Sequence, residues 1–143
     1  MKKIMCLFLT LILFLAFSAV AFGLEIEAEE KEAVKDDVIN AIGAKEVSNG
    51  LTISGGIASC QYTVKLNYGY KADVTTILQQ YTGSVWDEFE SWHHDKCSGV
   101  SITKNKAVTR GYKYRLKTYV NVYDSNGNYV EPVTKISPSV SYY

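Results

Sequence analysis

The chain has 143 residues, enough for one domain, and its 15 Lys and Arg residues balance its 15 Asp and Glu residues. This neutral balance argues against the strongly basic composition of nucleic-acid-binding domains, so we expect no nucleic-acid partner. The sequence has no Walker loop, G-x-S-x-G elbow or HExxH motif, and we expect a protein that is not an enzyme and uses no cofactor.

Residues 1–23 have the pattern of a secretory signal peptide. Lys2 and Lys3 precede an uncharged apolar run that ends at Ala21, and small residues occupy the −3 and −1 positions of two adjacent cleavage sites, the second after Gly23. The pattern predicts export to the extracellular space or the cell surface. The run approaches the roughly 20 residues that span a bilayer. An uncleaved anchor is therefore the alternative, and the membrane is a partner only in that case.

Residues 24–50 form an acidic segment with three lysines against eight acidic residues, whereas residues 51–143 hold ten basic and seven acidic residues. Val34, Val38 and Ile42 could line one face of a weak helix. We interpret the segment as a linker outside the folded domain. The alternative is a propeptide-like segment that masks the domain.

From residue 51 onward, short runs rich in Tyr, Val, Thr and Ile alternate with turn residues, which predicts an all-β domain over residues 51–143. The predicted strands are Leu51–Ser54, Ile57–Tyr68, Asp73–Tyr81, Val85–His93, Gly99–Lys104, Gly111–Asp124 and Tyr129–Tyr142. The sequences at 82–84 (TGS) and 124–127 (DSNG) are typical of hairpin turns. Pro132 and Pro138 indicate that the last strand is irregular or lies at a sheet edge.

The stretch VTRGYKYRLKTYVNV, residues 108–122, resembles the penultimate strand of an immunoglobulin-like or fibronectin type III-like sandwich. The resemblance implies a single antiparallel β-sandwich of about seven strands. It also implies a tyrosine corner at Tyr114, or alternatively at Tyr112, whose hydroxyl bonds back to the upstream backbone. Residues 51–143, with "LQQY…W…W" and "GYKYRLK", resemble small, uncharacterised secreted proteins of Gram-positive bacteria, and that resemblance implies no particular activity.

Removal of the signal peptide leaves two cysteines, Cys60 and Cys97, an even count in an exported chain. We expect them to form a disulfide that closes a loop of about 38 residues, for which loop-closure entropy predicts on the order of 4 kcal/mol of stabilisation. Two reduced, structural cysteines are the alternative.

His93 and His94 are the chain's two histidines, in the sequence WHHDKC that ends at Cys97. Neighbouring side chains of a strand point to opposite faces, so the two rings cannot readily bind one metal ion, and we expect no metal site. A small hydrolase that uses His94 with Glu88 or Glu90 is the least favoured function.

Aromatic and basic residues of two predicted strands are candidates for ligand binding. In a regular strand, Trp86 and Trp92 share a face with Glu88 and Glu90. The tryptophans then form a sugar-stacking platform or belong to the core, the commoner place for large aromatics in a small sandwich. The outward positions of the sixth strand form a basic stripe that is either an ordinary solvated strand face, the commoner case, or a surface suited to an anionic glycan or wall polymer: Lys113, Arg115, Lys117, Tyr119 and Tyr123.

These patterns predict an exported bacterial protein that acts by binding. Its expected ligand is an extracellular protein, a cell-wall polymer or a carbohydrate, and the sequence does not choose among them. The alternative function is that of a secreted antagonistic or toxin-like protein masked by residues 24–50.

Overall fold

The computed structural model describes residues 41–143. The predicted signal peptide and residues 24–40 of the acidic segment lie outside these described residues. The strands are β1 (Ala44–Ser54), β2 (Ile57–Leu66), β3 (Lys71–Tyr81), β4 (Trp86–Cys97), β5 (Gly99–Ala107), β6 (Tyr112–Tyr123), β7 (Tyr129–Ile136) and β8 (Val140–Tyr142). Within the described part of the chain there is no helix long and apolar enough to cross a membrane.

The eight strands form two antiparallel sheets. The smaller sheet has the order β1-β2-β5, and the larger has the order β4-β3-β6-β7, with β8 also paired to β6. Buried and more exposed residues alternate along β2, β3 and β6, so each sheet turns one face toward a shared core. Residues 41–143 therefore form a sandwich-like, all-β domain, in agreement with the predicted antiparallel β-sandwich.

Strand β1 begins at Ala44, seven residues before the predicted boundary at Leu51. Ala44 and Val47 are buried, and Gly50 pairs with Gln61 of β2 in a regular register. Residues 44–50 therefore belong to the sheet and not to the acidic segment. Their polar composition concealed the strand because only its inward positions need apolar side chains.

The predicted hairpin turns connect β3 to β4 and β6 to β7. The carboxylate of Asp124 holds the second turn by accepting hydrogen bonds from the backbone N–H groups of Asn126 (2.8 Å) and Asn128 (2.9 Å). The last predicted strand is divided into β7 and β8 around Pro138. At this break, the hydroxyl of buried Ser137 accepts a hydrogen bond from the Leu116 N–H at 2.9 Å. The irregularity expected from the prolines is therefore present.

The core consists of two apolar clusters with a polar layer between them. One cluster contains Ala44, Val47, Val64, Ala72, Val74, Val120 and Val122. The other contains Leu51, Ala58, Cys60, Leu78, Tyr114 and Leu116. In the polar layer, Thr76 and Thr118 face each other with their buried hydroxyl oxygens 3.1 Å apart. Asn49 Nδ2 donates to Thr118 Oγ1 at 3.1 Å, so the layer joins the two sheets.

Tyr114 is completely buried near the start of β6. Its hydroxyl donates to the Thr109 carbonyl oxygen at 2.9 Å and accepts from the Thr109 N–H at 3.0 Å. Burial raises the pKa of Tyr114 above its ordinary value. Tyr112, the other candidate for a tyrosine corner, is 37% exposed. Of the two, it is Tyr114 that contacts the upstream backbone.

Candidate ligand-binding face

A β-bulge in β4 decides which of its side chains reach the outer surface of the larger sheet. Leu78 pairs with Glu90, but the next residue, Gln79, pairs with Glu88, so Phe89 is an extra residue in β4. Side-chain alternation reverses at this residue. The single face expected for both tryptophans and both glutamates is therefore wrong, because that expectation assumed a regular strand.

Trp92 follows the bulge and lies on the inner face of the sheet. It pairs with the buried Thr76 and packs against one of the apolar clusters. Its ring stacks on that of Tyr62, with the ring centroids 6.5 Å apart. Trp92 thus fills the space between the two sheets.

Trp86 precedes the bulge and lies on the outer face beside the basic stripe. Its ring centroid is 5.2 Å from that of Tyr81 and 4.2 Å from the guanidinium carbon of Arg115. Arg115 Nε also donates to Gln79 Oε1 at 2.9 Å, and Lys113 pairs with Tyr81 across β6 and β3. Two groups of residues that were separate candidates in the sequence are therefore neighbours on one surface.

A second cation rests on an aromatic ring further along β6. Lys117 Nζ lies 5.0 Å from the centroid of the Tyr119 ring, and Ile77 of β3 pairs with Lys117 and can support its methylene groups. Such contacts contribute about 0.5–1 kcal/mol each at exposed sites. Tyr123, the last residue of the stripe, packs instead on Tyr129, with centroids 5.9 Å apart. We call the following residues the cationic face: Gln79, Tyr81, Trp86, Lys113, Arg115, Lys117 and Tyr119.

Gln79 and Tyr81 belong to the cationic face although no sequence motif marks them. Their signal is the alternation along β3, in which Ala72, Val74, Thr76 and Leu78 are buried, so the odd positions point outward. The register with β6 then brings Gln79 beside Arg115. Strand pairing, which the sequence does not give, was needed to find them.

Glu88 and Glu90 lie on different faces because the bulge separates them. Glu88 pairs with Gln79 on the outer face, whereas Glu90 pairs with Leu78 and turns inward. Glu90 forms an ion pair with Lys106 of β5, and this hydrogen bond holds the pKa of Glu90 below its usual range. The ion pair links an edge strand of each sheet.

His93 and His94 point to opposite faces of β4. Nε2 of His94 lies 2.9 Å from the Tyr62 hydroxyl on the inner side. On the outer side, Nδ1 of His93 lies 2.7 Å from Thr75 Oγ1, and its Nε2 lies 2.7 Å from Asp95 Oδ1. Residues 41–143 contain no group of three or more His, Cys, Asp or Glu side chains able to hold a metal ion.

Cys60 and Cys97 are free thiols, so the predicted disulfide is absent. Gly99, two residues after Cys97, pairs with Lys65, and Lys65 is five residues from Cys60, about 16 Å along an extended strand. A disulfide requires Cα atoms within about 7 Å. Burial raises the pKa of the Cys60 thiol to about 11, and the Cys97 thiol donates to the Ala72 carbonyl oxygen at 3.3 Å. Both cysteines are therefore best described as reduced residues with a structural role: Cys60 is buried, and Cys97 is hydrogen-bonded to the backbone.

No protein-family model and no curated protein sequence matches the chain. On the cationic face, two cations of one strand, Arg115 and Lys117, lie over aromatic rings.

Proposed function

We propose that the protein is an exported, fibronectin type III-like binding module whose ligand contacts the cationic face. The secretory pattern of residues 1–23 supports export. Two features support the fibronectin-like assignment: the two antiparallel sheets and the hydroxyl of Tyr114, which bonds to the backbone five residues upstream.

The observation that carries the proposal is the position of Arg115 over Trp86. The ring and Gln79 together restrict this long side chain, and a restricted side chain loses less entropy when a ligand binds. Lys113 and Lys117 flank Arg115 on the same strand face. This half of the sheet therefore offers an extracellular partner an ordered surface on which the three cations of β6 outnumber the outward carboxylate of Glu88.

A binding assay on isolated bacterial cell envelopes, which present proteins, glycans and polymers together, tests the proposal. The full exported protein is compared with the variant Arg115→Glu and with Lys45→Glu, a matched charge reversal at an exposed position of β1 in the smaller sheet. We expect Arg115→Glu to lose at least about tenfold in affinity and Lys45→Glu to bind as the wild type does. Equal binding by Arg115→Glu and the wild type, with both folded by circular dichroism, would overturn the proposal.

A further inference from the structure

We propose that the ligand of the cationic face is a linear polyanion, an extracellular polymer of short polyols joined by phosphodiester bonds. This inference rests on the proposed function, because it names the ligand of the same face. Three observations support it: the covering of the Trp86 ring, the spacing of the cations along β6, and the restraint on two of those cations.

Both tryptophan rings already have partners within the protein. The Arg115 guanidinium lies over the Trp86 ring, and the Tyr81 ring is tilted against it at 46°. Trp92 is stacked on Tyr62 between the sheets. Stacking of sugars or of nucleic-acid bases requires a free aromatic face, so the tryptophans favour neither ligand. Trp86 instead acts as a support for Arg115.

The cations of β6 follow one another at a spacing that suits a repeating polyanion. Lys113, Arg115 and Lys117 are two residues apart on one strand face, so the Cα atoms of adjacent members are about 7 Å apart. In a polymer of three-carbon polyols, six bonds separate successive phosphorus atoms. Three bonds of an extended chain span about 3.6 Å, so six span about 7 Å. The phosphate repeat of such a polymer therefore matches the backbone spacing of the positions that carry the cations.

Two of the three cations are held in place before any ligand arrives. Arg115 is restrained by Trp86 and Gln79, and Lys117 by the Tyr119 ring. The two lysines act as point charges toward a phosphate, and Arg115 adds a third positive charge on the same strand. The face thus presents three positive charges along one strand.

Calorimetric titration of the full exported protein with poly(glycerol phosphate) tests the inference. Uncharged dextran, a polyuronate and single-stranded oligo(dT) serve as comparison ligands. We expect poly(glycerol phosphate) to bind most tightly, with log affinity falling against log salt concentration at a slope of about −2 for three charge contacts. Lys117→Glu should weaken binding at least about tenfold, and Lys45→Glu should leave it unchanged.

Trp86→Ala is the sharper variant, because it removes no charge. We expect it to weaken poly(glycerol phosphate) binding by about three- to tenfold, since it releases Arg115 from the ring. Thermal unfolding of each variant shows whether it is folded. Unchanged affinity in a folded Trp86→Ala variant would overturn the supporting role of the ring.

The comparison ligands separate failure of this inference from failure of the proposed function. Equal or tighter binding of dextran, the polyuronate or oligo(dT) would overturn the assignment to a phosphodiester-linked polyol. Absence of binding to poly(glycerol phosphate), together with envelope binding that still depends on Arg115, would overturn the proposed ligand class. The cationic face would then remain the binding surface, with a different ligand. Envelope binding that does not depend on Arg115 would overturn both.

Discussion

Phe89 divides β4 into two halves, each of which contains a tryptophan and a glutamate. The tryptophan and glutamate of one half lie on the outer face of the sheet, and those of the other half lie on the inner face. Before the bulge, Trp86 and Glu88 lie on the outer face. After it, Trp92 stacks on Tyr62 between the sheets, and Glu90 forms an ion pair with the other sheet. Residue type alone therefore does not decide whether an aromatic side chain of this strand faces solvent or the core. The single extra residue between the halves decides it.

Deletion of Phe89 should have the largest effect, because it removes the bulge. The strand would regain a single alternation, and one of its halves would turn its inward side chains to solvent. We expect a loss of about 4 kcal/mol or more in the free energy of unfolding, comparable to truncation of a large core aromatic. Urea unfolding followed by tryptophan fluorescence measures it. A deletion variant as stable as the wild type would show that the bulge does not fix the two faces.

Alanine substitution of the two tryptophans compares the halves directly. Trp92→Ala should lower the free energy of unfolding by about 3 kcal/mol, because it leaves a cavity beside Tyr62. Trp86→Ala should lower it by about 1 kcal/mol, because it removes mainly surface contacts with Arg115 and Tyr81. Thermal and urea unfolding check the order. A larger loss for Trp86→Ala than for Trp92→Ala would contradict the assignment of the faces.

Cys60, beneath the second half of β4, should make stability depend on alkaline pH. Its pKa is raised from 9.0 to about 11 by burial, so above pH 9 the unfolded chain loses the thiol proton before the folded protein does. The contribution of the protonated Cys60 thiol to the free energy of unfolding is fully present below pH 9. It is lost between pH 9 and 11, by up to about 3 kcal/mol. Urea unfolding from pH 8 to 11 measures it, with Cys60→Ala as the control. Parallel pH profiles for the two proteins would refute it.

Removal of the Tyr62 hydroxyl should cause the smallest of these changes in the free energy of unfolding. Tyr62→Phe removes the hydrogen bond to His94 Nε2, and we expect a loss of about 1 kcal/mol in the free energy of unfolding. Tyr119→Phe on the outer face is the matched control and should change stability by less than about 0.5 kcal/mol. Chemical denaturation distinguishes them. Equal losses would show that the inner hydrogen bond makes no particular contribution.

The sequence predicts those parts of the fold that depend on local pattern. Alternation along β6 identifies its inward face, and the sequence at 124–127 identifies its hairpin turn. The start of β1 and the bulge depend on distant partners instead. Phe89 packs edge to face on Tyr114, with ring centroids 5.7 Å apart, and β1 is paired along its length with β2. No local pattern reports these contacts.

The candidate site was predictable only in pieces. The basic stripe follows from alternation, and Trp86 is conspicuous as one of two tryptophans. Their juxtaposition requires the order β4-β3-β6 and the reversal at Phe89. The disulfide prediction was wrong for a similar reason, since an even cysteine count carries no information on the distance between Cys60 and Cys97 along the sandwich.

The polar layer has a consequence for how the strands choose their partners during folding. Sliding β3 past β6 by two residues would keep every apolar side chain on the inner face, so hydrophobic pattern alone does not prevent it. Such a slide would place Thr76 opposite an aliphatic residue, Leu116 or Val120, and separate its hydroxyl from that of Thr118. Each buried hydroxyl left without a partner costs about 1–3 kcal/mol. The threonine pair therefore makes a sheet with shifted register less stable than the native sheet and so favours the native register.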